Sequence, residues 1–359
     1  IHSTHTKQRM SLENIDQLQL LCSKFVEIPV RNVLHSPKLL EKHRDPKPAL
    51  IFFDEQTSIT IALQIMAANN ILSAPVFDRL GENCLGCVDV LDLVAYVSNG
   101  VAKKKEDGED VSSLVRERYV SPISAAVNFS GRDPFLPLSR NSSLSEALAY
   151  MAQGVHRVPI LDMNNCMAGI LSQMDMLSLL YASSDFAGLT SKKLRSDDLD
   201  LIGNVISIQS TADMWHALDL LVLQGVSGIA VVDEEGVLIG NVSASDLRHL
   251  NLYQRYMLDK TVHEVCCSKE PIVCDLDDTL ETAITKLLEH HIHRVWLVDT
   301  NKQPTGVLTV TTVLRFLYDT LEANRQRSKT AMDLSSEKIN THPITTDVAD
   351  EPRSKRARK

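Results

Sequence analysis

Two basic dipeptides recur in the chain, His156-Arg157 and His293-Arg294. An arginine can hold a phosphate by two parallel hydrogen bonds, and a neighbouring histidine adds a donor whose charge depends on pH. Downstream of each pair stand hydroxyl groups, Ser172 with Asp175 in one case and Thr309 with Thr311 and Thr312 in the other. Asp92, and Ser243 with Asp246, hold related places elsewhere. A carboxylate is acceptor-only at neutral pH and suits the paired hydroxyls of a ribose. Phosphate donors and a ribose acceptor together describe a nucleotide site. Its candidate residues are Asp92, His156, Arg157, Ser172, Asp175, Ser243, Asp246, His293, Arg294, Thr309 and Thr312. The bland alternative makes Asp175 and Asp246 simply helix N-caps.

The elements that position these residues are repeated. An Ala followed by Leu or Ile occurs as Ala62-Leu63, Ala147-Leu148, Ala217-Leu218 and Ala283-Ile284. Ile59, Leu144, Met214 and Leu280 stand three residues before it, and Met66, Met151, Leu221 and Leu287 four after, which is one face of a helix. Ser58, Ser143, Asp213 and Thr279 precede that face as N-caps, Ser143 with Glu146 reading as a capping box. A strand then ends in Asp78, Asp162, Asp233 or Asp299, whose position before a turn is backbone chemistry rather than ligation. Gly86, Gly169, Gly240 or Gly306 follows, read as the hairpin turn that opens a second strand. Another apolar helix closes the unit, and a short strand such as Val205 to Ile208 precedes each cap.

An antiparallel hairpin sets the start of its first strand beside the end of its second. His156-Arg157 therefore belongs next to Ser172 and Asp175, and His293-Arg294 next to Thr309, Thr311 and Thr312, at helix N-termini that already attract anions. Ile71-Leu72 and Val226-Ser227 are read as occupying the basic position of the first and third units. Units with a basic pair thus complement units without one, the first pairing with the second and the third with the fourth.

The fold class is mixed α/β (α+β), with four repeats in two tandem pairs. The expected boundaries are an N-terminal extension over 1–47, repeats at 48–100, 134–182, 203–251 and 270–321, linkers at 101–133, 183–202 and 252–269, and a disordered, basic-ended tail over 322–359. Ala102 to Asp110 is charged and carries no helical apolar period. Arg353 to Lys359 reads equally as a nuclear-import signal or a solubilising tail.

Composition narrows the partners. Thirty-seven Lys+Arg against 46 Asp+Glu give a formal charge of −9, which argues against wholesale nucleic-acid binding. No apolar run reaches membrane-spanning length, and Ile1 to Gln8 lacks the pattern of a signal peptide. The chain opens on Ile, so its natural start is read as Met10 or a position upstream. Seven cysteines suit a reducing compartment better than a disulfide framework. Cys84-x-x-Cys87 lacks the second pair that zinc requires and is read as packing. Asp275, Asp277 and Asp278 read as solvation and capping of the next helix. No phosphate loop or zinc-protease helix occurs, and His43-Arg44-Asp45 lacks the rest of a kinase signature.

These residues resemble the CBS domain. Four copies with His-Arg in the second and fourth resemble the gamma subunit of the AMP-activated, sucrose-non-fermenting-type protein kinase. The similarity spans Pro48 to Leu321 and is strongest in Thr279-Leu280-Glu281-Thr282 and His291-Ile292-His293-Arg294-Val295. The resemblance implies two CBS pairs in a flat disc, clefts for AMP, ADP or ATP, and assembly with a catalytic (alpha) and a scaffold (beta) subunit. It implies no catalysis and a cytoplasmic or nuclear setting. The family's ribose aspartates fall on Asp92 and Asp246, and its phosphate-binding pairs on His156-Arg157 and His293-Arg294. Leu72, Met174 and Thr312 depart from the family pattern, and Asp175 adds an acid, which points to a divergent plant-type gamma-like subgroup. Two other readings remain: an adaptor with empty clefts, and a free-standing CBS regulator of a metabolic enzyme.

Overall fold

The computed structural model describes residues 28–34, 50–182, 190–195, 202–247 and 260–339. The His43-Arg44-Asp45 segment, much of the 183–202 and 252–269 linkers, and the basic C-terminal residues lie outside them.

A short helix, α1 (Arg31–Leu34), precedes the first repeat, which runs β1 (Phe53–Asp54), α2 (Ile59–Ala68), β2 (Ser73–Phe77), β3 (Cys84–Asp89) and α3 (Val90–Ser98). Helices α4 (Val101–Glu106) and α5 (Ser112–Val120) follow. The second repeat is β4 (Leu138–Ser139), α6 (Leu144–Ala152), β5 (Arg157–Leu161), β6 (Met167–Ser172) and α7 (Gln173–Tyr181). The third is β7 (Ser207–Gln209), α8 (Met214–Leu223), β8 (Gly228–Val232), β9 (Leu238–Ser243) and α9 (Ala244–Leu247), with α10 (Val262–Cys266) after it. The fourth is β10 (Val273–Cys274), α11 (Leu280–Glu289), β11 (Arg294–Val298), β12 (Pro304–Thr309) and α12 (Val310–Ile339). Each repeat forms one three-stranded sheet, a parallel edge strand beside an antiparallel hairpin.

The four helix caps are as expected. Ser58, Ser143, Asp213 and Thr279 each accept the backbone N–H three residues on. The hairpin registers superpose: Ser73 faces Asp89, Arg157 faces Ser172, Gly228 faces Ser243 and Arg294 faces Thr309. That register corrects the alignment by one residue. The counterparts of His156-Arg157 are Leu72-Ser73 and Ser227-Gly228, not Ile71-Leu72 and Val226-Ser227.

The glycines are also displaced from expectation. Gly86, Gly169, Gly240 and Gly306 lie within the second strand, opposite Val76, Ile160, Val231 and Leu297, with a register shift immediately beside each pair. They sit at a bulge rather than in the turn. The reason at three of them is close approach: an added Cβ would stand 2.7 Å from Val127 at Gly86, 2.6 Å from Cys267 at Gly240 and 2.3 Å from Ile202 at Gly306. The turns themselves are built by the aspartates. Asp162 Oδ1 accepts the N–H groups of Asn164 and Cys166, Asp233 those of Glu235 and Val237, and Asp299 those of Asn301 and Gln303.

A strand-like segment from outside each repeat zips onto its first helix. Ile59 N–H donates to Ser121 C=O and Ile123 N–H to Thr57 C=O; Met214 and Lys260, with Val262 and Ala212, repeat that exchange. In the second repeat it is Leu144 with Ile28 and Val30 with Ser142; in the fourth, Leu280 with Lys192 and Leu194 with Asp278. A segment before each odd repeat thus serves the even one, and a segment after it serves the odd one. This is the pseudo-two-fold relation of one with two and three with four.

Two boundaries change as a result. The 101–133 stretch is not a mere linker: Val111, Val115, Tyr119, Ile123 and Ala126 are buried in the core with the first repeat. The N-terminal extension contributes buried Val30 and Val33 to the second. The tail also differs, since α12 continues to Ile339. Residues 322–339 carry no Gly or Pro and are rich in helix formers, so propensity extends the helix without an apolar stripe.

Helix packing crosses the pairs. One core joins the second and fourth repeats and another the first and third, while Ala230, Leu238, Trp296 and Val298 join the third to the fourth. Sheet contacts between the third and fourth repeats and helix contacts across the pairs bring the four repeats around a hub. No described helix is long and apolar enough to cross a membrane.

Candidate functional site

The hub contains a cavity of about 510 Å³ to which all four repeats contribute. The register explains how. Each β2-type strand starts, and each β3-type strand ends, at the hub, so the residues at both ends of the pairing converge there with the N-terminus of the following helix. Leu72 and Asp89 arrive from the first repeat, His156 and Arg157 from the second, Ser227 and Asp246 from the third, His293 and Arg294 from the fourth.

The predicted aspartates share one structural position, the third residue of the helix in a capping box. Asp92 Oδ2 accepts Asp89 N–H, Asp175 Oδ2 accepts Ser172 N–H and Oγ–H, and Asp246 Oδ2 accepts Ser243 N–H and Oγ–H. In the fourth repeat Thr312 Oγ1 accepts Thr309 N–H. The capping reading makes Asp175 and Asp246 the N-caps themselves, whereas Ser172 is the N-cap of α7 and Asp175 and Asp246 accept from the residue three before, so the question is what each group has left. Asp92 has little: its Oδ1 accepts both the N–H and the Oγ–H of Ser130, at 2.9 and 2.6 Å, and the residue is buried. Asp175 is equally buried. Asp246 alone of the three lines the 510 Å³ cavity.

The basic residues differ too. Arg294 Nη2 donates to Ser227 Oγ at 2.6 Å, its guanidinium lying over Gly228, where a Cβ would stand 2.0 Å from Nη1. Burial, with Arg132 nearby, lowers Arg294 to about 10, so it stays charged at neutral pH. His293 departs from the expected pH-dependent donor. Burial first, then Arg157 and Arg294, drive it down to about 3, and it is a neutral imidazole at physiological pH.

Several neighbours of these side chains escaped sequence reasoning. Asp133 Oδ1 accepts His156 N–H at 2.7 Å, and its carboxylate meets His156 Nδ1 at 3.0 and 3.1 Å, fixing that ring at the cavity wall. The hydrogen bond from His156 holds Asp133 below the usual carboxylate range despite burial. Asp89 goes the other way, raised to about 8 by burial and by the carboxylates of Asp92 and Asp133. A readable signal existed: Arg132-Asp133-Pro134 precedes His156 by the same interval as Lys269-Glu270-Pro271 precedes His293. Both segments reach the hub, and Lys269, Glu270 and Pro271 line the cavity. Trp296, whose Nε1–H donates to Asn241 Oδ1, adds an indole wall.

Other candidates fall outside the hub chemistry. Cys84 Sγ–H donates to Gly86 C=O, and burial pushes the Cys87 thiol up to about 12, so neither favours thiolate. Asp277 does not cap α11, which Thr279 does; it pairs with Lys193 and Arg195, on the segment whose Lys192 and Leu194 join the fourth repeat.

Comparison with known proteins decides the family. The model of the CBS domain matches residues 44–99, 131–182, 198–252 and 262–319, more than half of the chain. The chain belongs to the CBS domain family. Among relatives, it is 26% identical over 321 residues to protein SDS23 of Saccharomyces cerevisiae, covering 77% of this chain and 60% of that one. It is 27% identical over 283 residues to the 5'-AMP-activated protein kinase subunit gamma-3 of Sus scrofa, covering 75% and 54%. The chain thus spans little more than half the length of these relatives. Protein MJ1225 of Methanocaldococcus jannaschii shares the fold, with a TM-score of 0.61 at 17% identity, over 80% of this chain and 99% of that one.

Proposed function

We propose that this CBS protein is a non-catalytic regulatory subunit that binds an adenine nucleotide in the 510 Å³ cavity and acts on a protein kinase complex. The observation that carries the reading is the convergence of Asp246 and Arg294, from paired repeats, on one cavity. Asp246 supplies the acceptor for ribose hydroxyls, Arg294 and Arg157 supply phosphate donors, and Ser243 and Ser245 supply hydroxyls at the wall. Pro271, Ile272 and Trp296 give an apolar surface for a purine base. His293, being neutral, serves as a hydrogen-bonding group rather than a counter-charge. AMP, ADP or ATP is the ligand class. Asp92 is satisfied by Ser130, so the first repeat is the weakest host of the four.

A module without catalytic groups transmits binding only by differential contact with another protein. Relationship to the kinase gamma subunit supports a catalytic alpha and a scaffold beta subunit as those partners, in the cytoplasm or nucleus. A plant-type gamma-like membership is the narrower form of this reading. The test is reconstitution: the purified chain, mixed with a kinase alpha and beta pair, should co-elute on size exclusion and make the complex's activity respond to AMP. Co-elution with Arg294→Ala but without the AMP response supports the nucleotide role. Failure of the parent chain to associate favours an adaptor or a free-standing regulator.

A further inference from the structure

Three carboxylates meet beside the nucleotide cavity: Asp89 at the end of β3, Asp92 in the first turn of α3 and Asp133 in the stretch before the second repeat. They line one narrow recess with Ser73, Cys87 and Arg157, and Asp89, Asp133 and Arg157 also line the cavity itself. Two of the three are compensated. Asp92 Oδ1 accepts twice from Ser130, while Asp133 accepts His156 N–H and meets its Nδ1, with Arg157 adding attraction. Asp89 has less. Its Oδ1 accepts Asp92 N–H at 2.7 Å, and Arg132 is near enough to attract it. Ser73, opposite it in the hairpin, gives no help, since its buried Oγ has no hydrogen-bond partner among the described residues. Across the cavity stand Asp246, Lys269, Glu270, His290 and Arg294. Burial, then like charge from Asp92 and Asp133, keeps a proton on Asp89 up to about pH 8.

Resting on the nucleotide reading above, we propose that Asp89 makes the seating of a nucleotide phosphate proton-linked: the cavity holds the phosphate with this carboxyl neutral. Arg157, a phosphate donor in that reading, shares a wall with Asp89, so ionising Asp89 sets like charge beside the phosphate. Linkage is reciprocal. The phosphate raises the proton affinity of Asp89, and loss of the proton lowers affinity for the phosphate. At pH 7 the carboxyl is already neutral and binding is strongest; as pH climbs through 8, binding has to take up a proton and weakens. A neutral nucleoside escapes this repulsion. The Cys87 and Cys266 thiols, at about 12, and His293, at about 3, keep their states over that range.

The test is calorimetric titration of the full chain with AMP and with adenosine between pH 7 and 9, where a phosphate monoester, with its second pKa about 6, is already dianionic. AMP affinity should fall by about 10-fold across the range, and adenosine affinity should stay level. In two buffers of different ionisation enthalpy, proton uptake should rise from near zero at pH 7 toward a full proton per AMP at pH 9, a readout that needs no variant. Asp89→Asn keeps a capping oxygen, and it should bind AMP at pH 9 as the parent does at pH 7, with thermal melts showing both chains folded. AMP affinity that is equal at pH 7 and 9, an equal fall for adenosine, or the parent's fall retained in Asp89→Asn overturns the proton linkage and leaves the nucleotide site standing. No AMP binding at any pH overturns both.

Discussion

Arg294 of the fourth repeat donates to Ser227 of the third at 2.6 Å, and Ser227 holds the place that His156 holds in the second repeat. Where the second repeat has a large polar residue, the third has a small one that receives its partner's arginine. Gly228 completes the seat. A methyl group there would meet Arg294 Nη1 at 2.0 Å. Gly228→Ala should therefore push the guanidinium aside, a movement available to a flexible side chain. Affinity for AMP should fall by about 10- to 150-fold, as for a lost charge-assisted contact, with a far smaller change in melting temperature. Calorimetry beside a thermal melt separates the two.

The recurrent turn aspartates should behave oppositely. Asp162 Oδ1 accepts two backbone N–H groups and stands away from the hub. Asp162→Ala should cost roughly 0.5–2 kcal/mol of stability, comparable to removing a helix cap, while nucleotide titrations remain those of the parent.

Ile123 tests the revised boundary. It is fully buried and donates its N–H to Thr57 C=O at 2.7 Å. Were 101–133 only a linker, its truncation would be nearly silent. Ile123→Ala should instead destabilise the chain by about 2–5 kcal/mol, measured by denaturant unfolding.

These cases show what was legible. Cap, helix face, turn aspartate and hairpin pairing depend on neighbours in sequence, so their fourfold recurrence revealed the repeats and placed His156, Arg157, His293 and Arg294 together. A one-residue error in register survived because Ile71, Leu72 and Val226 are all apolar and compatible with either face of the strand start. The glycine bulges were misread as turns because their cause is contact with Val127, Cys267 and Ile202, each distant in sequence. Ser130 closing Asp92 and Asp133 holding His156 are likewise long-range, although the repeated Arg132-Asp133-Pro134 and Lys269-Glu270-Pro271 marked the second of these relationships. The state of His293 follows from burial among cations, which no local pattern reveals.

Asp89 predicts a pH dependence. Its carboxyl is raised from an ordinary 3.8 to about 8 in the folded chain, so the folded state holds a proton that the unfolded chain releases. Stability from this group is therefore fully present below about pH 4 and falls as pH rises toward 8. Asp89→Asn keeps an oxygen to accept Asp92 N–H and removes the titration. Its melting temperature should match the parent's near pH 4 and exceed it increasingly up to pH 8.5. A constant difference across that range would contradict the assignment.

The central claim is that an adenine nucleotide sits between Asp246 and Arg294, and calorimetric titration of AMP into the parent chain and Asp246→Ala tests it most directly. The parent should bind AMP saturably, and the variant should lose about 10-fold or more in affinity. AMP binding of equal strength in both proteins, or no AMP binding by the parent, would contradict it.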